Sequence, residues 1–244
     1  MDDVSIVIPA RYKSSRFPGK PLAKILGIEM ILRVCNICSK VLKKKYIYVA
    51  TDDKRISNVV NFAGYKSIKT SKQCLTGTDR VFQASKKINS KIIINVQGDE
   101  PIINSLDIKK IISAKIKFPN HVICGFNEIH PSNAYSTNIP KVVFNKNSEM
   151  IYMSRSVIPG NKKDKIKYKI FKQVCIYGFN KKELYQYGQQ NKKSYLEKIE
   201  DIELLRFLDI NIPIKMIKVS NRSIAVDIKN DIKKVEIFLK NEKN

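Results

Sequence analysis

Apolar and polar positions follow a strand-then-helix rhythm through the first half of the chain. Val4-Ser5-Ile6-Val7-Ile8 is an apolar run that stops at Pro9, and it predicts a first strand over Val4 to Ile8. Apolar residues at Ile31, Val34, Ile37 and Val41 recur at helical spacing and predict a helix over Met30 to Lys40. Tyr46 to Ala50 reads as a second strand, closed by Thr51-Asp52-Asp53. A helix over Asp53 to Asn61 and a short strand near Tyr65 to Lys69 come next. Asp79 to Lys87 predicts another helix, opening at Thr78 or Asp79 as its cap. Ile92 to Val96 is apolar throughout, the pattern of a strand buried on both faces, and it ends in Gln97-Gly98-Asp99-Glu100-Pro101. A helix over Leu106 to Lys117 and a strand over His121 to Phe126 complete this half. The alternation predicts an α/β fold with a doubly wound, mostly parallel sheet.

The second half departs from that alternation. Lys141 to Phe144 and Glu149 to Tyr152 predict a hairpin around Asn145-Lys146-Asn147, and Lys172 to Phe179 a further strand. Glu197 to Leu208 reads as one amphipathic helix, Ile214 to Val219 as a strand, and Asp227 to Leu239 as a closing helix. The extra strands predict a small inserted β region, of the kind used as a dimerisation arm. No internal repeat or low-complexity linker interrupts the chain, so one domain over 1–244 is expected.

Composition narrows the picture. The 244 residues carry no apolar run long enough to span a bilayer, and Met1-Asp2-Asp3 does not resemble the start of a signal peptide. A cytoplasmic protein without membrane partners is expected. Five scattered cysteines fit free thiols in a reducing compartment, with Cys35 and Cys38 as buried helical thiols rather than a metal or redox pair. The formal charge is +24, which raises a nucleic-acid-binding α/β protein as an alternative. Only eight of the 46 cations are arginine, however, and clusters such as Lys43-Lys44-Lys45 and Lys162-Lys163-Asp164-Lys165 read as solvated loops. No nucleic-acid partner is therefore expected. A positive field does help to draw in anionic substrates.

Candidate chemistry gathers where predicted strands end, the edge at which open α/β sheets bind ligands. After the first strand, Arg11, Lys13, Arg16 and Lys20 surround Ser14, Ser15 and Gly19. Cations, hydroxyls and free backbone N–H groups in one loop suit a polyphosphate, although the spacing is that of neither a Walker loop nor GxGxxG. Asp99 follows a buried strand and a glycine, so it can offer a hard oxygen ligand to Mg²⁺ shared with phosphate. Asp227 is a possible second ligand, or simply a helix cap. Thr76-Gly77-Thr78-Asp79-Arg80 is either a nucleotide-recognition loop or an ordinary capped helix start. Arg155 could pair with a carboxylate of protein or ligand. Glu197, Glu200 and Glu203 could bind sugar hydroxyls or form a solvated face. His121 and His130 sit in no motif, which argues against histidine-based catalysis.

These motifs together resemble a family. PARYKSSRFPGKPL over Pro9 to Leu22 is similar to the N-terminal signature of the 3-deoxy-manno-octulosonate cytidylyltransferases, the CMP-Kdo synthetases. Thr76 to Arg80 resembles their SGTDR, and NVQGDEP over Asn95 to Pro101 matches fully. Tyr152 to Pro159 resembles YFSRAxIP, Ile176 to Phe179 resembles IYGY, Leu196 to Leu208 resembles LExIEMLEQLRVL, and Ala225-Val226-Asp227 resembles GVD. CMP-sialate synthetases, with a different first loop, fit less well. The resemblance implies a Rossmann-like fold of the nucleotide-sugar transferase type, a homodimer, and transfer of CMP from CTP to Kdo for lipopolysaccharide or capsule synthesis. It implies Mg²⁺ on Asp99 and Asp227, with Arg11, Lys20 and Asp99 as catalytic residues. Pro9, Ala10, Arg11, Ser14, Ser15, Arg16, Lys20, Gly77, Thr78, Asp79, Arg80 and Asp99 would face the nucleotide. Gln97, Arg155, Gln173, Tyr177, Glu200 and Glu203 would face the sugar acid.

Two stretches depart from the family pattern. Gln173 stands where RHIGIYGY has a histidine, and Ser220-Asn221-Arg222-Ser223-Ile224 precede Ala225 where PGTGVD has glycines. Both lie on the acceptor side, so the acceptor is expected to be Kdo or a related ulosonate such as an amino-Kdo.

Overall fold

The computed structural model describes residues 3–14, 16–160, 162 and 168–242. Met1, Asp2, Ser15 and the Lys163-Asp164-Lys165 cluster lie outside the described residues. In chain order the elements are β1 (Val4–Ala10), β2 (Lys24–Ile25), β3 (Ile28–Glu29), α1 (Met30–Ser39), β4 (Ile47–Thr51), α2 (Lys54–Phe62), β5 (Lys66–Lys69), α3 (Gly77–Ser85), β6 (Ile92–Val96) and α4 (Ser105–Lys117). They continue with β7 (Val122–Ile129), β8 (Lys141–Phe144), β9 (Met150–Ser154), β10 (Ile170–Asn180), α5 (Lys181–Gly188), α6 (Tyr195–Glu200), α7 (Leu205–Asp209), β11 (Ile214–Lys218) and α8 (Asp231–Asn241).

A nine-stranded sheet runs in the order β11-β7-β10-β6-β1-β4-β5. β1 pairs in parallel with β4 and β6, β4 with β5, and β11 with β7. The eleven-residue β10 is antiparallel to both β6 and β7, and its first half also carries the β8–β9 hairpin. The sheet is thus mostly parallel, with one reversed strand linking its two parallel parts. β1 is buried along its whole length, as its apolar composition requires. On one face Ile6, Ile8 and Ile94 pack with Val34 of α1, Ile56 of α2 and Ile108 of α4. On the other, Val7, Ile93 and Phe179 pack with Val81 of α3, Leu184 of α5 and Phe207 of α7. Cys35 and Cys38 are fully buried, and burial raises both thiols above their usual range, Cys35 to about 12.

Several predicted elements are corrected. The α3 cap is Thr76: its hydroxyl accepts from the Asp79 N–H, while the Asp79 carboxylate accepts from the Thr76 N–H. The single helix expected over Glu197 to Leu208 is two short helices. Asp201 adopts a left-handed conformation at φ 49° between them. The Arg155 guanidinium donates to the carbonyls of Glu200 and Asp201 at 2.6 and 3.0 Å, occupying acceptors that a continuing helix would use. Ser223 to Val226, whose apolar Ile224 and Val226 make it strand-like in sequence, forms no regular strand, and the closing helix starts at Asp231 rather than Asp227. α5 was absent from the sequence reading, although Asn180 and Glu183 form its capping box.

Candidate active site

The carboxyl ends of β1, β4 and β6 are neighbours, and the loops that leave them meet at one edge of the sheet. Pro9 is the hub. A Cβ on Gly98 would lie 2.8 Å from the Pro9 carbonyl oxygen, and one on Gly77 would lie 3.5 Å from the Pro9 ring. Only glycine lets the β6 loop approach β1 this closely.

The β1 loop, the β6 loop and the approach to α8 converge on one lysine. Lys20 Nζ donates to Asp99 Oδ2 at 2.6 Å and to the Val226 carbonyl at 2.8 Å, and lies 4.0 Å from Asp227 Oδ1. Arg16 Nη2 donates to Asp227 Oδ1 at 2.9 Å. The Val226 N–H donates in turn to the Asp99 carbonyl at 2.9 Å, docking the two segments. Asp227 is not a helix cap. The helix follows Asn230, whose side chain makes no capping bond, and Asp231 in its first turn accepts from the N–H groups of Asp227 and Ile228 at 3.1 Å each. Two carboxylates from distant segments therefore face one positive charge. The donor set suits a divalent cation whose shell is completed by phosphate oxygens. Among the described residues no group of three or more His, Cys, Asp or Glu could hold a metal by protein ligands alone. Behind Asp99, Glu100 is buried and bonded by the Ser223 hydroxyl; burial, with Asp99 and Asp227 nearby, pushes its carboxyl up to about 7.

Arg11 lies between two cavities. The larger, about 690 Å³, is lined by Arg11, Tyr12, Lys13, Ser14, Pro18, Asp52, Asp53, Arg55 and Lys72. Asp53 caps α2 and holds Arg55 through Nε at 2.9 Å and Nη2 at 2.7 Å. The Arg55 guanidinium stacks 3.3 Å above the Tyr12 ring. Arg55, Lys72 and Tyr12 were not singled out in the sequence; Arg55 follows the Thr51-Asp52-Asp53 strand end closely enough to have been considered. The smaller cavity, about 250 Å³, includes Arg11, Thr76, Gln97, Arg155, Gln173, Cys175, Tyr177, Lys193, Asp201 and Glu203 in its lining. Gln173, Cys175 and Tyr177 of β10 line it together, across the irregularity between Val174 and Tyr177 in the strand's pairing with β7. Gln173 Nε2 donates to Tyr177 Oη at 2.7 Å.

The predicted residues divide between surface and support. Arg11, Ser14, Gln97, Arg155, Gln173, Tyr177 and Glu203 line the cavities, and Arg16, Lys20, Asp99 and Asp227 form the charge cluster. Pro9 and Ala10 are strand residues beneath the first loop. Thr78, Asp79 and Arg80 lie behind this surface and line neither cavity. Arg80 is buried, with Nη1 donating to Thr70 Oγ1 at 2.5 Å and lying 3.5 Å from Asp52. The Asp79 carboxylate is taken by Thr76 and Arg206. The Thr78 N–H donates to Glu203 Oε2 at 2.9 Å, and Gln97 Nε2 donates to Glu203 Oε1 at 3.2 Å, so Glu203 ties α3 to the β6 loop. Burial raises the Glu203 carboxyl against the pull of the Thr78 N–H. The three glutamates do not share a face. Glu197 is buried on Arg206, and Glu200 accepts from Ser154 Oγ at 2.6 Å and the Arg155 N–H at 2.7 Å without lining either cavity. Lys193 and Asp201 were missed as lining residues; Asp201 sits at the helix break, which no local pattern marks, and Lys193 reaches it from before α6.

Known proteins agree with this architecture. The family model for cytidylyltransferases matches residues 5–218. This chain belongs to the cytidylyltransferase family. It is similar to a 3-deoxy-manno-octulosonate cytidylyltransferase of Desulfatibacillum aliphaticivorans, with 33% identity over 98% of this chain and 99% of that protein. It is 36% identical, over 96% of this chain and 97% of the relative, to an 8-amino-3,8-dideoxy-manno-octulosonate cytidylyltransferase of Shewanella baltica. Among solved structures, a CMP:2-keto-3-deoxy-manno-octonic acid synthetase complexed with CTP superposes with a TM-score of 0.91 at 34% identity, covering 98% of this chain and 99% of that one. The cytidylyltransferase is thus a nucleotidyltransferase with the fold expected from its sequence. No helix among its described residues is long and apolar enough to cross a membrane.

Proposed function

We propose that this cytidylyltransferase transfers CMP from CTP to the anomeric hydroxyl of Kdo, giving CMP-Kdo and pyrophosphate. The observation that carries the reading is the meeting of Lys20 with Asp99 and Asp227 beside two cavities that share Arg11. The named activities of full-length relatives support it. The sugar hydroxyl attacks the α-phosphorus of CTP, the bond to the β-phosphate oxygen breaks, and pyrophosphate leaves. Such a displacement depends on positioning and charge neutralisation more than on covalent catalysis.

Arg11, Arg16 and Lys20 would hold the phosphates and stabilise the departing pyrophosphate, with Ser14 adding a hydroxyl. Asp99 and Asp227 would hold Mg²⁺, which when bound neutralises phosphate charge. Gln97, Gln173 and Tyr177 would orient the sugar acid by hydrogen bonds. Arg155, three of whose N–H groups already serve carbonyls, would act partly by shaping the wall. A histidine is not needed for this chemistry, which accommodates Gln173. The β8–β9 hairpin would supply the homodimer contact: among the described residues β9 pairs within the sheet with β8 alone, and it exposes Ile151.

The test is pyrophosphate release from CTP with and without Kdo. Release that requires Kdo and Mg²⁺, and that stops with EDTA, supports the reading. Release with a sialic acid but with no ulosonate of the Kdo type overturns it.

A further inference from the structure

Tyr12 closes the base of the first loop. Its carbonyl accepts from the Gly19 N–H at 2.9 Å, so the two ends of the loop meet there. Gly19 has φ +72°, a left-handed conformation that favours glycine, and a Cβ on it would lie 3.2 Å from both Cζ and Oη of Tyr12. The next residue, Lys20, sends its ammonium to Asp99 and to the Val226 carbonyl. The seat of the Tyr12 ring therefore sets where the backbone turns into Lys20.

That ring is held from another element. The Arg55 guanidinium lies 3.3 Å from the ring centroid. Asp53 fixes the guanidinium in turn, Oδ1 accepting from Nε at 2.9 Å and Oδ2 from Nη2 at 2.7 Å. Oδ1 also accepts the Arg55 N–H at 2.9 Å as the cap of α2, a helix anchored by its buried Ile56 and Val60. A forked pair of hydrogen bonds orients the guanidinium plane, so Arg55 offers Tyr12 a flat, fixed face as well as a charge. We propose that Arg55, bolted to Asp53, is a positioning residue that acts through Tyr12 and Gly19 to aim Lys20 at the CTP phosphates. The inference rests on the CMP-transfer reading above, in which Lys20 meets those phosphates.

Calorimetric titration of the full chain with CTP and Mg²⁺, run beside Kdo-dependent pyrophosphate release, tests it. Arg55→Met keeps an unbranched stem and removes the planar head. It is expected to weaken CTP binding by about tenfold, the scale of one cation–ring contact. The Arg55 side chain is 59% exposed, so the unfolding temperature is expected to stay within about 2 °C of wild type. Arg55→Lys keeps the charge but cannot fork to Asp53, and is expected to bind CTP within about threefold of Arg55→Met. Tyr12→Leu removes the ring that Arg55 holds. In that background Arg55→Met is expected to add less than about twofold, because both changes break one chain of contacts. Unchanged CTP affinity in Arg55→Met overturns the inference alone. So does full rescue by Arg55→Lys, or additive losses in the double variant, either of which would show Arg55 acting on the nucleotide by its own charge. A loss of affinity that comes only with a larger fall in unfolding temperature overturns it too. A wild-type protein that binds CTP yet releases no pyrophosphate with Kdo overturns the CMP-transfer reading alone, and one that does not bind CTP overturns both.

Discussion

Arg206 Nη1 donates to Asp79 Oδ1 at 2.7 Å, across 127 residues of sequence. The same guanidinium donates to both oxygens of Glu197, at 2.6 and 2.7 Å, and lies 3.9 Å from the Tyr187 ring. Asp79 and Glu197 are the acids of two capping boxes, at the starts of α3 and α6. One buried cation thereby orients a helix N-terminus beside Gln97 and another beside Lys193. Arg206→Met would leave two acids without their cation, one of them fully buried. It is expected to lower stability by about 3–5 kcal/mol, as measured by urea unfolding. Arg206→Lys, which keeps the charge but cannot fork to both acids, is expected to fall between the two.

Asp99→Asn keeps the size of the side chain and removes half of the charge that faces Lys20. CTP-dependent pyrophosphate release is expected to drop by about 10²–10³-fold or more, with an unchanged far-UV circular dichroism spectrum. Near-normal turnover would refute the assignment of Asp99 to the metal and phosphate cluster.

Glu203 supplies a pH test. Burial raises its folded carboxyl above the ordinary glutamate value, so the folded state favours the protonated form. Below the ordinary value both folded and unfolded chains are protonated, and nothing is lost. As pH rises through and beyond that value, the unfolded chain releases its proton first and folding stability declines, levelling off once the folded group also ionises. Glu203→Gln lacks this titration. Unfolding free energies of wild type and variant are expected to differ by a pH-dependent amount that favours the variant increasingly as pH rises. Parallel pH curves would exclude the raised carboxyl.

Gly98→Ala would place a Cβ 2.8 Å from the Pro9 carbonyl oxygen, a backbone atom that cannot step aside. Separating the β1 and β6 loops is expected to cost about 1–3 kcal/mol and to raise the KM for CTP. A melting temperature and KM equal to wild type would show that the two loops do not need this approach.

Much of the fold was legible because its signals are local. β6 falls on the predicted residues, and α1 and α4 within one residue at an end, since an all-apolar run or a helical period needs no distant information. The placement of Pro9 to Lys20, Thr51 to Asp53 and Gln97 to Pro101 on one edge followed from strand alternation, and parallel pairing of β1 with β4 and β6 puts them there. The second half was less legible. The break after Glu200 depends on Arg155, which reaches it from the turn that follows β9, and the late start of the closing helix leaves Asp227 outside it, paired with Arg16 and near Lys20.

Periodicity and loop composition were therefore enough for the sheet, its helices and the chemical character of the first loop, because each reports on residues a few positions apart. Folding alone decided that Asp79 and Arg80 lie behind the cavities, that the Glu200 carboxylate faces β9, and that Lys193 and Asp201 line the smaller cavity. Those roles are set by which partner reaches a charged group first, and the partners come from distant parts of the chain.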